Sequence, residues 1–246
     1  MNPTIEEMQQ HCSIRKFADR ELETGTLKQL LLAGQAAATS SFIQATTVIQ
    51  VTDLEIRSRM VDISGNQKYV STAAEFLVFC ADLQRIRHRV KALGLEAEFD
   101  WTEQFITATI DVALFAQNTV IAAESLGLGC CYIGGIRNQP EDVCQLLGLP
   151  DLVYPVFGLC IGYPAQSPGK KPRLPLPAIV HQNSYQALGD TDQSIDHYDQ
   201  DVSKYYDERT AGKRKTGWSE QMMQQAERQT RSFMLNFLHK RGLLRR

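Results

Sequence analysis

The hydrophobic positions divide the chain into stretches of two periods. Residues 4–9 and 27–38 carry apolar side chains at helical spacing among good helix formers, so both are predicted helices. Residues 46–52 are rich in Val, Ile and Thr, and 75–81 form a compact apolar run; each reads as a buried strand. The longest helical stretch is 102–126. Its Phe105, Ile106, Ile110, Val112, Leu114, Val120 and Ile121 leave it apolar around much of its circumference. That pattern predicts a helix buried on several sides, one of them against another subunit. Gly127 and Gly129 end it, Cys131-Tyr132-Ile133 begins the next strand, Gly134-Gly135 turns the chain, and 153–163 is the last strong strand. Helices interleaved with strands make a mixed α/β or α+β layered domain.

From Gln166 the pattern breaks. Pro168, Gly169, Pro172, Pro175 and Pro177 mark an irregular crossing segment. Residues 190–208 are acidic and contain Tyr, 209–215 are basic, and 219–238 read as a terminal helix. The chain is thereby divided into a core, 1–165, and an extension, 166–246.

Composition narrows the choice of partners. A chain of 246 residues with 43% hydrophobic content can build one large domain, or a domain with an extension. A formal net charge of −2 gives no global attraction for nucleic acid or anionic membrane, so any anion site must be local. Runs of consecutive apolar residues such as 73–81 are too short to span a bilayer, and the first residues carry acid without an apolar core. A cytoplasmic protein is expected. The cysteines are Cys12, Cys80, Cys130, Cys131, Cys144 and Cys160. None forms a C-x-x-C pair, so no metal site is expected and reduced, mostly buried thiols are the favoured reading. A redox-active Cys130-Cys131 pair is the minor alternative, because a disulfide between neighbours is strained.

Two short segments concentrate cationic donors: His11-Cys12-Ser13-Ile14-Arg15 and Lys170-Lys171-Pro172-Arg173. A phosphate dianion needs such donors: charge-assisted hydrogen bonds, a hydroxyl and backbone N–H groups. In an extended segment His11, Ser13 and Arg15 project together, and Pro172 stiffens the backbone between Lys171 and Arg173. Either segment alone also suits a solvated surface. Thr39-Ser40-Ser41 supplies consecutive hydroxyls after a helix. Gly65-Asn66-Gln67-Lys68-Tyr69 offers an amide pair for a heterocycle's carbonyl and ring nitrogens. Tyr132-Ile133-Gly134-Gly135 can bring bare backbone N–H groups close to a flat ring. By composition alone, 209–218 is a solvated basic loop.

Taken in order, His11-x-Ser13-Ile14-Arg15, Thr39-Ser40-Ser41, Gly65-Asn66-Gln67, Ala73-Ala74-Glu75-Phe76, the stretch from Ala122 to Gly129, Tyr132-Ile133-Gly134-Gly135 and Lys171-Pro172-Arg173-Leu174-Pro175 resemble the nitroreductase/flavin reductase family. The likeness covers nearly the whole chain. It is strongest to the NADPH-preferring branch of oxygen-insensitive nitroreductases and bioluminescence-associated FMN reductases. The resemblance implies an α+β nitroreductase-like fold, a mixed central sheet flanked by helices with a C-terminal excursion. It also implies a homodimer with two FMN sites at the subunit interface.

On that pattern His11, Ser13, Arg15, Lys171, Pro172 and Arg173 hold the FMN phosphate and ribityl chain. Gln67, Tyr132, Ile133, Gly134 and Gly135 line the isoalloxazine, with Thr39 and Ser40 contributing. Ser41, Tyr69 and Arg231 face the substrate pocket, Arg231 from the terminal helix. Arg209 and Arg214, on a flexible loop that orders with nucleotide, grip the 2′-phosphate of NADPH. The core would bind flavin, and the extension would complete the phosphate site and supply NADPH contacts. No protein nucleophile is required, because hydride passes through FMN N5, and one site used twice implies ping-pong kinetics. The implied acceptors are small and mostly planar: nitroaromatics, quinones, free flavin or chromate. The alternatives are a dedicated NADPH–FMN reductase supplying reduced flavin and a low-turnover flavin-binding redox protein. Two positions depart from the family's pattern: Cys12 stands where an Arg is usual, and Thr39 where a Ser is usual.

Overall fold

The computed structural model describes residues 2–187, 189, 192–228 and 230–246. Asp190 and Thr191 of the acidic stretch and Gln229 of the predicted terminal helix lie outside them. The chain divides into two compact units: the residues through Ser167 together with Arg231–Arg246, and Pro168–Thr230.

In the first unit four strands, β1 (Thr46–Gln50), β2 (Glu75–Asp82), β3 (Gly129–Ile133) and β4 (Val153–Gly162), form an antiparallel sheet in the order β1-β2-β4-β3. Central β2 is buried along almost its whole length, as its unbroken apolar run requires. Pro155 occupies central β4, where a missing N–H should break the ladder. It faces Cys80 at the register shift between Phe79 and Cys80, so the irregularity falls where the proline sits.

The helices of this unit are α1 (Pro3–Gln10), α2 (Thr26–Gln35), α3 (Leu54–Ile63), α4 (Tyr69–Thr72), α5 (Gln84–Ala92), α6 (Thr102–Ser125), α7 (Pro140–Leu146) and, after the excursion, α10 (Met234–Lys240). Asp53 caps α3 by accepting from the backbone N–H groups of Glu55 and Ile56. Helix α6 lays Ala108, Val112, Ala116, Val120 and Ala123 into the core shared with the sheet. Against it α2 crosses closely at Gly34, where a Cβ would stand 2.3 Å from Thr119 Oγ1 and 2.4 Å from Phe115 Cε1. The opposite side of α6 leaves Ile106, Ile110 and Leu114 exposed. By length and composition α6 is apolar enough to cross a bilayer, which the runs of consecutive apolar residues did not reveal. Its buried face serves the protein core instead.

The second unit contains α8 (Asp192–Arg209) and α9 (Trp218–Ala226). The predicted single helix over 219–238 is therefore wrong. It is two helices, α9 and α10, and the chain between them takes a left-handed conformation at Arg231, φ 53°. The halves have different work: α10 buries Phe237 and Leu238 in the first unit, whereas α9 buries nothing and belongs to the second.

Candidate active site

The amino-terminal donor segment is extended, as its alternation predicts. Ser13 bridges Cys130 in parallel, and the Ile14 N–H donates to the Cys130 carbonyl at 2.9 Å. Ile14 is buried, so this short strand is fastened along the edge of β3 by its apolar residue. His11 Nδ1 donates to Glu124 Oε1 at 2.6 Å, and the carboxylate, at the end of α6, is almost covered. Arg15 is exposed and has no carboxylate partner among the described residues. Burial raises the pKa of the Tyr69 phenol, and the Arg15 charge opposes that only in part.

The Gly65–Tyr69 loop packs on the turn after β3. Gln67 Nε2 donates to the Ser64 carbonyl at 2.7 Å, and Tyr69 donates a short hydrogen bond to Gln67 Oε1. The carboxamide is thus oriented from both ends. Gly135 lies directly under it: a Cβ there would meet Ser64 O at 2.3 Å and Gln67 Nε2 at 2.5 Å. Only a glycine allows that approach. Tyr132 packs edge-on against Phe157, with 5.0 Å between ring centroids, and burial raises its phenol pKa.

Arg231 is the clearest departure from the sequence reading. It lies outside any helix, in left-handed backbone, and its Nη2 donates to Gly134 O at 3.2 Å and Asn138 Oδ1 at 2.9 Å. Asn138 is anchored in turn by donating to Ile63 O. Arg137 stands close by and donates to Val156 O; burial first, and then Arg231, lowers its pKa. Neither Arg137 nor Asn138 was singled out in the sequence, although both directly follow the Gly134-Gly135-Ile136 turn.

The hydroxyl loop is strained. Ser41, Phe42 and Gln44 have φ of 46°, 58° and 51°. Asp111 holds both ends of the loop: Oδ1 accepts from Ser40 N at 2.9 Å and Oδ2 from Ala45 N at 3.3 Å. Asp111 is only 1% exposed, while Phe42 is 80% exposed. Thr39 Oγ1 is buried without a hydrogen-bond partner, an available donor. Asp111 escaped the sequence reading, although a lone acid amid Ile110 and Val112 was a signal. Among the described residues, no hydrogen bond joins Thr39, Ser40 or Ser41 to the Gln67–Gly135 group.

In the second unit the cations gather on two tyrosines of α8. Arg209 donates to the Tyr205 hydroxyl at 2.7 Å. Arg214 Cζ lies 4.2 Å from the Tyr206 ring centroid, and Lys171 Nζ lies 5.3 Å from it. Pro172 O accepts from Tyr198, and Arg173 is exposed near the same tyrosine. The 210–217 loop is tied rather than loose. Its Gly212 N–H returns to Asp207 O, Ser203 Oγ donates to Lys215 O, and Arg214 uses Thr210 and Thr216.

Cys130 and Cys131 are buried and form no disulfide. Burial raises both thiol pKa values, and Arg15 opposes that only partly at Cys131. Both are the reduced, buried thiols that the sequence favours.

Chemically, these elements offer cations that no carboxylate among the described residues pairs, and bare backbone beside an oriented amide for a flat ring. The nitroreductase family pattern matches residues 8–163, and its C-terminal domain pattern matches 171–246. An FMN reductase (NADPH) of Bacillus subtilis is 43% identical over 98% of both chains. An oxygen-insensitive NADPH nitroreductase of Salmonella typhimurium is 41% identical, again over 98% of each. The solved NADPH:FMN oxidoreductase of Vibrio harveyi, complexed with NAD+, superposes with a TM-score of 0.91 over all of both chains at 39% identity. The chain belongs to the nitroreductase family.

Proposed function

We propose that this protein is a homodimeric, FMN-dependent NADPH oxidoreductase that reduces nitroaromatics, quinones, free flavin or chromate. The observation that carries the reading is the set of uncompensated cations on the matched segments. Arg15, Lys171, Arg173, Arg209 and Arg214 have no ion-pair partner among the described residues. The residues fit a phosphorylated flavin on two further counts: the orphaned Thr39 hydroxyl, and the closeness of Gly135 to Gln67 that a Cβ would abolish.

In this reading His11, Ser13, Arg15, Lys171, Pro172 and Arg173 hold the FMN phosphate and ribityl chain. Gln67 and Tyr132 to Gly135 border its rings, with Thr39 and Ser40. Arg209 and Arg214 take the 2′-phosphate of NADPH, the forked guanidinium matching phosphate geometry. Ser41, Tyr69 and Arg231 face the acceptor. Bound FMN supplies the hydride chemistry that no side chain here provides. The chain's own part is to bind and orient. Glu124 fixes His11 through Nδ1 and leaves Nε2 for the ligand, and Asn138 fixes Arg231.

The exposed apolar face of α6, with Leu32 and Phe42, supports the dimer, since a monomer would leave that surface in water. Five buried thiols without disulfides suit a reducing compartment, and we place the protein in the cytoplasm. A dedicated FMN reductase is the second reading, favoured by the name of the Bacillus subtilis relative. Purified protein should be yellow and release about one FMN per subunit on denaturation, the stoichiometry of one phosphate site per chain. Steady-state kcat/KM with a nitroaromatic, a quinone, FMN and chromate then separates the two readings. A colourless protein with no affinity for FMN would defeat both.

A further inference from the structure

Cations crowded into one small region repel each other unless something holds them. Among the described residues no carboxylate around α8 does so for Lys171, Arg209 or Arg214; aromatic rings and a phenol oxygen do. The two tyrosines divide the task. Tyr205 takes Arg209, one helical turn away. Tyr206 takes two cations far apart in the second unit's sequence, Lys171 from the crossing segment and Arg214 from the basic loop. The modes differ. The Arg214 guanidinium lies over the Tyr206 ring, with its Nε fixed by Thr216 Oγ1 and its backbone N–H by Thr210 Oγ1, both at 2.9 Å. This leaves its terminal nitrogens to a ligand. The Lys171 ammonium stands farther out, 5.3 Å from the ring centroid, and its charge acts on the phenol.

We propose that Tyr206 is a positioning residue shared by two anion sites: its hydroxyl sets Lys171 for the flavin phosphate, and its ring sets Arg214 for the nucleotide 2′-phosphate. The field around the phenol agrees. Burial alone would raise the pKa of Tyr206, but Lys171 beside it and the charges of Arg214 and Arg209 outweigh that and bring it below the ordinary value. A neutralised cluster would not do that. The inference rests on the FMN and NADPH reading given above.

The two modes separate by mutation, in the full chain, with binding as the readout. Flavin-free Tyr206→Phe keeps the ring and loses the hydroxyl. Its FMN affinity should fall about 3- to 10-fold, the worth of one hydrogen bond, while riboflavin, which lacks the phosphate, binds as in the parent. Its preference for NADP+ over NAD+ should stay unchanged. Tyr206→Ala removes the ring as well and should lower that preference by about 2- to 5-fold, as loss of one exposed cation–π contact implies. Adding Tyr206→Phe to Lys171→Ala should weaken FMN no further, because both act through one ammonium. An additive loss, or equal losses for FMN and riboflavin, would mean that Tyr206 merely supports the fold, and would overturn the proposal. So would an unaltered nucleotide preference in Tyr206→Ala; if that variant does not fold, Tyr206→Leu gives the same comparison. The underlying reading fails separately: parent protein that binds riboflavin as tightly as FMN, or an Arg209→Ala/Arg214→Ala variant with undiminished NADP+ preference, removes the anions themselves and the proposal with them.

Discussion

Replacing Asp111 by Ala isolates how the sequence holds the hydroxyl loop in place. The carboxylate is buried on α6, and its two oxygens accept from the backbone N–H groups of Ser40 and Ala45. Between those anchors three non-glycine residues, Ser41, Phe42 and Gln44, sit at positive φ. Each such residue costs about 1–2 kcal/mol relative to ordinary backbone, so the loop adopts this path only because its ends are fixed. Removing the carboxylate leaves two N–H groups short of a charged acceptor, at about 1.5–3 kcal/mol for each good bond. The Ala45 bond is long at 3.3 Å and counts toward the low end. Relaxation of the strained loop returns part of the loss, so a net destabilisation of about 3 kcal/mol is expected. For a chain of this size that lowers the melting temperature by roughly 6–12 °C. Calorimetry reads the melting temperature, and limited proteolysis at Phe42 reads the loop itself. Asp111→Asn, which presents an N–H to one of the two donors, should fall between Ala and the parent. A loss below about 1 kcal/mol with unchanged cleavage at Phe42 would refute the claim that Asp111 holds the loop.

Gly135→Ala should fold yet displace Gln67, because a new Cβ would stand 2.3 Å from Ser64 O; flavin content measured on denaturation should fall while the far-ultraviolet spectrum is retained. Glu124→Gln keeps the shape but weakens the hold on His11, so FMN affinity should drop about 3- to 10-fold with riboflavin affinity unchanged, as read by flavin fluorescence quenching. Arg209→Ala with Arg214→Ala should raise KM for NADPH at least tenfold, by the loss of two charge-assisted contacts, and leave the KM for NADH near the parent value. Added salt should weaken NADPH binding more than NADH binding in the parent and equally in the variant. Burial raises the Cys130 and Cys131 pKa values above the ordinary thiol range, so at pH 8 both stay protonated and iodoacetamide should spare them until denaturant is added.

What the sequence disclosed was local. The apolar runs of β2 and β4, the alternation at His11–Arg15 and the glycines after β3 carry their structure within a few residues. The polar helices were harder to see. Helix α8 buries only Tyr198 and Val202, and α5 offers the core only the half-buried Ile86 and Val90, so both are too polar to stand out in the sequence. The break at Arg231 is not marked by glycine or proline, and only the separate packing of α10 explains it. At the candidate site the donors were legible, but most of the groups that orient them were not. Glu124 is 113 residues from His11, Asp111 is 71 from Ser40, and Asn138 is 93 from Arg231. Such pairings are made by the fold, and no local pattern announces them.

The central claim is that this chain binds FMN and reduces it with NADPH, and mixing is its most direct test. Anaerobic stopped-flow addition of NADPH to the yellow protein should bleach the flavin absorbance rapidly, with NADH much slower at equal concentration, and a nitroaromatic should then restore the colour. Flavin that keeps its absorbance through many catalytic lifetimes of NADPH exposure, or bleaches equally with both nucleotides, would contradict the account.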